Sequence, residues 1–412
     1  MIETLTYISV YFGLFLGFFY LFAFLNKVKE KEPEFKETGV PKVSIIIPAY
    51  NEEKGIACTI ESALNLNYPK NKLEVIVVDD GSKDKTYEIA SQFVKKGIKL
   101  FTKPNGGKGT ALNLGIKNST GEVIVTMDAD NTRVNIDALK HMVSYFSNPN
   151  IVCVAPVMAV YKPKGILQKV QQVEYLFGIF LRKVFYNLNS IHVTPGAFSA
   201  YRKSFFKKYG GFDENNLTED LEMALRIQYH NYGIANSTNA IVYTVTPNTF
   251  VSLLKQRRRW FAGLAKNLVH YNKLFSIKYK ELGTIILPSA VFGVIIGVTL
   301  TPYVLIKSMI NMGRQFNYWQ SINYQITSSS NFYLFSLSKY FWTTITDPKI
   351  FFLTVTLLVF VGYLLFARIK LKEALNVKLS FVFFMVFYTL LFALWWTVSI
   401  FYMVFNRKIS WR

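Results

Sequence analysis

Three short apolar runs in the first third of the chain each lead into acidic residues. The first opens onto Pro48-Ala49-Tyr50-Asn51-Glu52-Glu53, and the second onto Asp79-Asp80-Gly81-Ser82 with Asp84 and Thr86 just behind. The third opens onto Asp128-Ala129-Asp130. Two carboxylates one residue apart can both reach a hard divalent cation. Mg2+ and Mn2+ take oxygen ligands and share them with the phosphates of a substrate. Singly these strings are ordinary, since Asp-Gly-Ser makes turns and caps. Acid at three such ends in succession points to chemistry. No G-x-G-x-x-G or G-x-x-x-x-G-K-[ST] loop is present, so nothing supports a kinase. Asn105-Gly106-Gly107-Lys108-Gly109 matches neither motif; it can wrap a phosphate or simply turn into a helix. A metal held by Asp128 and Asp130 without such a loop suits a nucleoside diphosphate leaving group.

Two further clusters lie downstream. Gly196-Ala197-Phe198-Ser199-Ala200-Tyr201-Arg202 and Gly210-Gly211-Phe212 precede Thr218-Glu219-Asp220, which opens a helical run over 221–229. A carboxylate there is either a helix cap or a general base aimed into a cleft. Gln256-Arg257-Arg258-Arg259-Trp260 sits on a helix that begins near Thr249. Arginines beside an indole suit a diphosphate with a sugar or acceptor stacked nearby; the alternative is a basic helix on anionic lipid.

These groups need a scaffold. Runs at 43–47, 73–78 and 122–127 read as buried strands, and helical patterns at 52–66, 85–95 and 109–117 separate them. Apolar strands alternating with helices predict a parallel sheet covered on both faces, with ligands beyond the carboxyl ends of the strands.

The 412 residues allow two to three domains. The chain is 51% apolar and 16% aromatic, which excludes a disordered chain. Two cysteines and four histidines exclude a disulfide scaffold and disfavour a thiolate or imidazole metal site. The net charge of +21 together with this hydrophobicity suggests a membrane protein with a basic cytoplasmic face. Charge-free or nearly charge-free runs at 4–26, 282–306, 350–367 and 379–405 predict four membrane helices, since about 20 apolar residues span a bilayer. The first lacks the basic start and cleavage site of a signal peptide. Residues 307–349 read as an extracytoplasmic or interfacial loop. Lys27, Lys29 and Lys31, with Arg368, Lys370, Lys372 and Lys378, put the middle of the chain inside the cell. Arg407, Lys408 and Arg412 then fall outside, against the same rule. Loops beside the spans account for the positive charge, so no nucleic-acid partner is expected. The stretch 165–191 is apolar at helical spacing, as either an interfacial helix or a core helix.

The strings IIPAYNEE, VVDDGSKDKT, NGGKGTALN, DAD, GAFSAYR, TED and QRRRW, in this order, resemble glycosyltransferase family 2. In particular they resemble its membrane-integrated, polymer-forming branch, the cellulose, chitin, hyaluronan and poly-N-acetylglucosamine synthases. The resemblance covers roughly residues 40–270. It implies an α/β GT-A (Rossmann-like) catalytic domain over 40–272 plus an α-helical transmembrane region. It also implies inverting transfer from a nucleotide sugar, commonly a UDP-sugar, to a glycan. Carried over by position, Pro48, Tyr50, Glu52, Val78 and Asp80 hold the nucleotide base and ribose, and Lys108 lies in the same pocket. Asp128 and Asp130 hold Mn2+ or Mg2+ and the diphosphate. Asp220 is the base, with Thr218 and Glu219 beside it. Gln256, Arg259 and Trp260 clamp the diphosphate and position the acceptor. Arg257 and Arg258 stand at the motif's variable positions and receive no role. The resemblance implies a multi-pass cell-membrane protein with a cytoplasmic catalytic domain, and oligomerisation stays open. Ceramide glucosyltransferases carry a similar motif set with few spans, so transfer of one sugar to a membrane lipid is the alternative.

Overall fold

In the computed structural model of the chain, residues 2–26, 32–321, 378–405 and 407 are described, with 354–355, 357–358, 361–362 and 365. One sheet of eight strands carries the larger part. Its first half runs β3 (Lys99–Thr102), β2 (Leu73–Asp79), β1 (Val43–Ala49), β4 (Val123–Met127), all parallel. Every residue of β1 and β4 is buried, as apolar runs covered on both faces must be. Alternate side chains go to opposite faces. Ile45, Ile47, Val75 and Val77 pack with α2 (Ile56–Leu64) and α5 (Ala138–Val143). Ile46, Ile76 and Val78 pack with α4 (Lys108–Asn118) and α8 (Glu219–Tyr229). The helical pattern at 52–66 shortens to α2 and that at 85–95 to α3 (Thr86–Ser91) with a 3-10 turn behind it.

The sheet is not the all-parallel one that the strand–helix alternation predicts. Past β4 lie β7 (Phe198–Arg202), antiparallel to it, then β6 (Ile151–Val160), antiparallel to β7. β8 (Gly233–Thr244) pairs parallel with β6, and β5 (Arg133–Val134) antiparallel with β8. The alternation stops at β4: β5 has two residues, and a helix of 23 residues, α6 (Gly165–Asn187), separates β6 from β7. Strand order reverses between β1 and β4, the kind of break where open α/β sheets place ligands, and strand direction reverses one strand further on, at the β4–β7 seam. A short helix, α7 (Lys203–Tyr209), follows β7.

Apolar helices flank this sheet. α1 (Ile2–Leu25) lies on α6, where the rings of Phe24 and Phe180 are 5.2 Å apart and Asn187 Nδ2 donates to the Ala23 carbonyl at 3.0 Å. α9 (Phe250–His270) packs on the carboxy-terminal helix α11 (Lys378–Val404), with Phe261 stacked on Trp396 at 4.7 Å. Phe384 of α11 packs on Val170 and Val173 of α6. The 165–191 stretch is thus helical as far as Asn187 and packs between the sheet and the apolar helices. Among the described residues, two helices, over Tyr7–Leu25 and Leu282–Tyr318, are long and apolar enough to cross a membrane. The second begins as a π-turn and continues as α10 (Leu287–Ser321), with Pro302 inside it. Residues 307–321 of the loop expected over 307–349 are therefore helical, and the rest of that stretch lies outside the described residues. Lys307 and Arg314 end an apolar run without ending a helix, because both residues are good helix formers. Most of the span expected at 350–367 lies outside the described residues.

Candidate active site

Asp128 and Asp130 leave β4 at the seam. The Asp128 N–H donates to the Ala197 carbonyl at 3.2 Å, which ties the acidic turn to the segment entering β7. Lys108, the first residue of α4, reaches into the same space. Its Nζ lies 2.7 Å from Asp128 Oδ1 and 2.9 Å from Glu219 Oε1. Burial opposes the Lys108 charge, but Asp128, Glu219 and Asp220 outweigh it and hold the ammonium pKa above its ordinary value.

Thr218, Glu219 and Asp220 form the cap and first turn of α8. Glu219 is 2% exposed and committed to Lys108, whereas Asp220 is half-buried. Of the two adjacent acids, Asp220 is therefore the one a substrate can reach. Its Oδ1 accepts the Leu221 N–H at 2.8 Å. A Cβ on Gly196 would lie 2.8 Å from Asp220 Oδ2 and 2.7 Å from Lys108 Nζ, so glycine keeps open the gap between them. Burial and then the Glu219 charge raise the Asp220 carboxyl, Lys108 and Arg259 pull it back, and it is pushed up to about 6. A base works unprotonated, so turnover should fall as pH drops through about 6. That limb should be missing from the residual activity of Asp220→Asn, whose amide does not titrate there. A pH profile of kcat/KM checks this, and a profile flat from about pH 5 to pH 8 contradicts it.

Asp130 opens to the cleft but has protein around its other sides. That enclosure, then the charges of Asp128 and Glu52, raise its carboxyl to about 7 against Lys108 and the Thr132 hydroxyl, 3.3 Å away. Crowded carboxylates of this kind are relieved by a cation, and an all-oxygen set fits Mg2+ or Mn2+. Among the described residues no group of three acidic, His or Cys side chains could cage an ion. Asp128 and Asp130 would hold it jointly with substrate phosphates and water, as Mg2+ commonly is held.

Pro48 and Val78 sit opposite each other in the β1–β2 register, buried. Tyr50 and Glu52 follow β1, half-buried, and the Glu52 N–H donates to Thr86 Oγ1 at 2.7 Å. Asp80 is 2% exposed and shapes the loop before α4. Its Oδ1 accepts from Lys103 Nζ at 2.5 Å and Gly106 N at 3.0 Å, and its Oδ2 from Gly107 N at 2.8 Å. Any contact from Asp80 to a nucleotide must compete with these bonds.

α9 closes the other side. Arg259 Nη1 donates to the Leu217 carbonyl at 3.1 Å, and its charge acts on Asp220. Gln256 Oε1 is buried and has no hydrogen-bond partner among the described residues; Trp260 is half-buried. Thr218 is a positioning group. Its hydroxyl accepts from Asn267 Nδ2 at 3.2 Å and its N–H donates to Asn216 Oδ1 at 3.1 Å. A Cβ on Gly263 of α9 would stand 2.3 Å from Thr218 Oγ1. Gly263→Ala should therefore destabilise the fold by about 1–3 kcal/mol and push α8 away from α9. Lower thermal stability with reduced turnover is the expected result; wild-type values for both would contradict the close approach.

The sequence assigned nothing to Arg257 and Arg258. Arg257 is 2% exposed and pairs with Glu174 of α6 at 2.7 Å. Arg258 lies over the Tyr402 ring of α11 at 4.1 Å. The readable signal was position: residue 257 precedes Trp260 by three and shares its helix face. Glu222 was also missed. It holds Arg226 in a two-pronged pair at 3.0 and 2.5 Å and accepts from the Tyr271 hydroxyl, while Arg226 donates to the Gly211 carbonyl at 2.7 Å.

An acidic turn at a strand-direction break, a lysine bridging it to a second acidic turn, and an arginine helix thus come together in one place. Glycosyl transferase family 2 matches residues 44–210. The probable glycosyltransferase YdaM of Bacillus subtilis (strain 168) is 33% identical over 292 residues, 68% of this chain and 69% of that protein. The chain belongs to glycosyltransferase family 2 and is a glycosyltransferase. It is also similar to a poly-beta-1,6-N-acetyl-D-glucosamine synthase of Staphylococcus epidermidis, 33% identical over 252 residues, and spans 60% of that relative's length. Mannosyltransferase PcManGT from Pyrobaculum calidifontis, solved in complex with GDP-Man and Mn2+, superimposes with a TM-score of 0.59 at 20% identity. The alignment covers 90% of this chain and 98% of that one, and it shows a GT-A-like fold.

Proposed function

We propose that the chain is a membrane-bound inverting glycosyltransferase that adds sugar from a UDP-sugar, N-acetylglucosamine, to a growing polysaccharide. The observation that carries this reading is the half-open Asp220 carboxyl beside the Lys108–Asp128 pair. Kinship with a poly-N-acetylglucosamine synthase supports the choice of sugar and product.

Asp220 Oδ2 accepts the proton of the acceptor hydroxyl as its oxygen bonds to the anomeric carbon and the bond to the diphosphate breaks. The nucleoside diphosphate leaves with its electron pair, and the sugar carbon inverts. Lys108 and Arg259 face the developing negative charge, a preorganised electrostatic effect that is often the largest in catalysis. A Mg2+ or Mn2+ at Asp128 and Asp130 supplies further charge stabilisation when bound. Pro48, Tyr50, Glu52, Val78 and Asp80 line or support the nucleotide end. Gln256 and Trp260 serve the acceptor.

One observation favours the second reading, transfer to a lipid acceptor. α9 packs on α11, so the acceptor side of the site adjoins an apolar helix. Membranes supplied with labelled UDP-N-acetylglucosamine distinguish the two. A ladder or smear on size separation supports the polymer, and one solvent-extractable species supports the lipid acceptor.

A bilayer partner is supported by α1, whose Phe15 and Phe22 rings are 53% and 63% exposed on an apolar helix. Such a surface is stable in lipid. On this reading the membrane is crossed more than once, with the sheet on the cytoplasmic side. Cys58 is half-buried and Cys153 buried, and burial raises both thiol pKa values. An impermeant maleimide at mildly alkaline pH should leave intact cells unlabelled and label Cys58 after permeabilisation. Labelling of intact cells that Cys58→Ser removes would reverse the orientation.

A further inference from the structure

Arg257 sits where three helices meet, and the chemistry above leaves it without a task. Its Nη2 lies 2.7 Å from Glu174 Oε2 of α6. Its guanidinium lies 4.3 Å from the Trp260 ring centroid on its own helix and 5.4 Å from that of Trp395 on α11. The Tyr388 hydroxyl of α11 lies near enough to the Glu174 carboxylate to act on it. Tyr388 stacks on Phe384 at 4.3 Å and meets Trp395 edge-on at 5.9 Å. One ion pair therefore ties the sheet-bound α6, the arginine-rich α9 and the apolar α11.

A buried ion pair is a poor device for stability, because desolvation offsets the attraction. It is a good device for orientation. A guanidinium is planar and stacks on an indole face, so whatever fixes its plane fixes the ring against it. Glu174 fixes that plane from a different helix. Trp260 remains half-buried, which leaves part of the indole open to a ligand.

We propose that Arg257 is a positioning residue for the acceptor: anchored by Glu174, it sets the orientation of Trp260 and couples that ring to the packing of α11. The inference rests on the assignment of Trp260 to the acceptor. A lysine at 257 keeps the charge and loses the flat stack.

The test uses full-length protein in detergent, UDP-N-acetylglucosamine as donor and a short β-1,6-linked N-acetylglucosamine oligomer as acceptor probe. Arg257→Lys should raise the KM for the oligomer by about tenfold, the size expected for a desolvated stacking contact, with the donor KM within error of wild type. Glu174→Gln should act in the same direction and serves as the second variant if Arg257→Lys folds poorly. In a Trp260→Phe background both substitutions should lose most of their effect. An unchanged oligomer KM, or an effect of full size in the Trp260→Phe background, overturns the proposal. Indole emission is read in parallel and needs no acceptor. Arg257→Lys should shift the emission, and the shift should shrink in the Trp260→Phe background to the part that Trp395 contributes; a shift of full size there overturns the proposal as well. Wild-type protein that transfers nothing to the oligomer would defeat the functional reading, while the emission arm would still decide the role of Arg257.

Discussion

Asp220→Asn should lower turnover by ~10²-fold or more, with donor affinity close to wild type, as loss of a general base does. The amide is nearly isosteric, so it can still accept the Leu221 N–H that the carboxylate accepts at 2.8 Å, and α8 should keep its first turn. What it cannot do is take a proton. Burial and the adjacent Glu219 push the native carboxyl up to about 6, which makes it a stronger base than a solvated aspartate. The contrasting outcome belongs to a structural cap: donor affinity would fall, and turnover per bound donor would not. Glu219→Gln should differ from both. It strips a charge from Lys108, 2.9 Å away, and so should weaken donor handling along with turnover.

Asp130→Ala should abolish metal-dependent transfer. On the proposed reading Asp128 and Asp130 would hold the ion jointly on the protein side, and a Mg2+ or Mn2+ ion with one of them gone would keep too little of its shell. Its removal also relieves the repulsion felt by Asp128, which leaves Asp128 to pair more fully with Lys108. The folded protein should survive the change, because Asp130 opens to the cleft and packs no core. Isothermal titration with Mn2+ in the presence of UDP is the check: wild type should bind and Asp130→Ala should not. Full transfer activity of the variant in a chelator would remove the metal from the account.

Much of the candidate site could be proposed before the fold was known, because its parts are local. Asp128 and Asp130, Glu219 and Asp220, and Arg259 and Trp260 are each neighbours in the chain. The buried strands β1, β2 and β4 could be read because an unbroken apolar run has few other places to go. The missing parts are those that local pattern does not encode. Thr126 pairs with Ser199 across the seam, and nothing in either segment records that the second runs backwards. Lys307 looked like the end of an element because charge ends an apolar run, yet α10 continues to Ser321. Glu174 and Arg257 lie 83 residues apart, so neither announces the other. The choice between Glu219 and Asp220 also needed the structure, since only packing decides which acid is buried with Lys108.

Stereochemistry gives the most direct test of inverting transfer through Asp220. Purified full-length protein is supplied with UDP-N-acetylglucosamine, whose sugar is α-linked to the diphosphate, and with Mn2+ and an acceptor oligomer. Proton NMR of the product reads the new anomeric linkage while UDP release is followed alongside. A β linkage, with UDP released in step with sugar transferred and both lost in Asp220→Asn, is the predicted result. An α linkage, or transfer at the wild-type rate by Asp220→Asn, would contradict it.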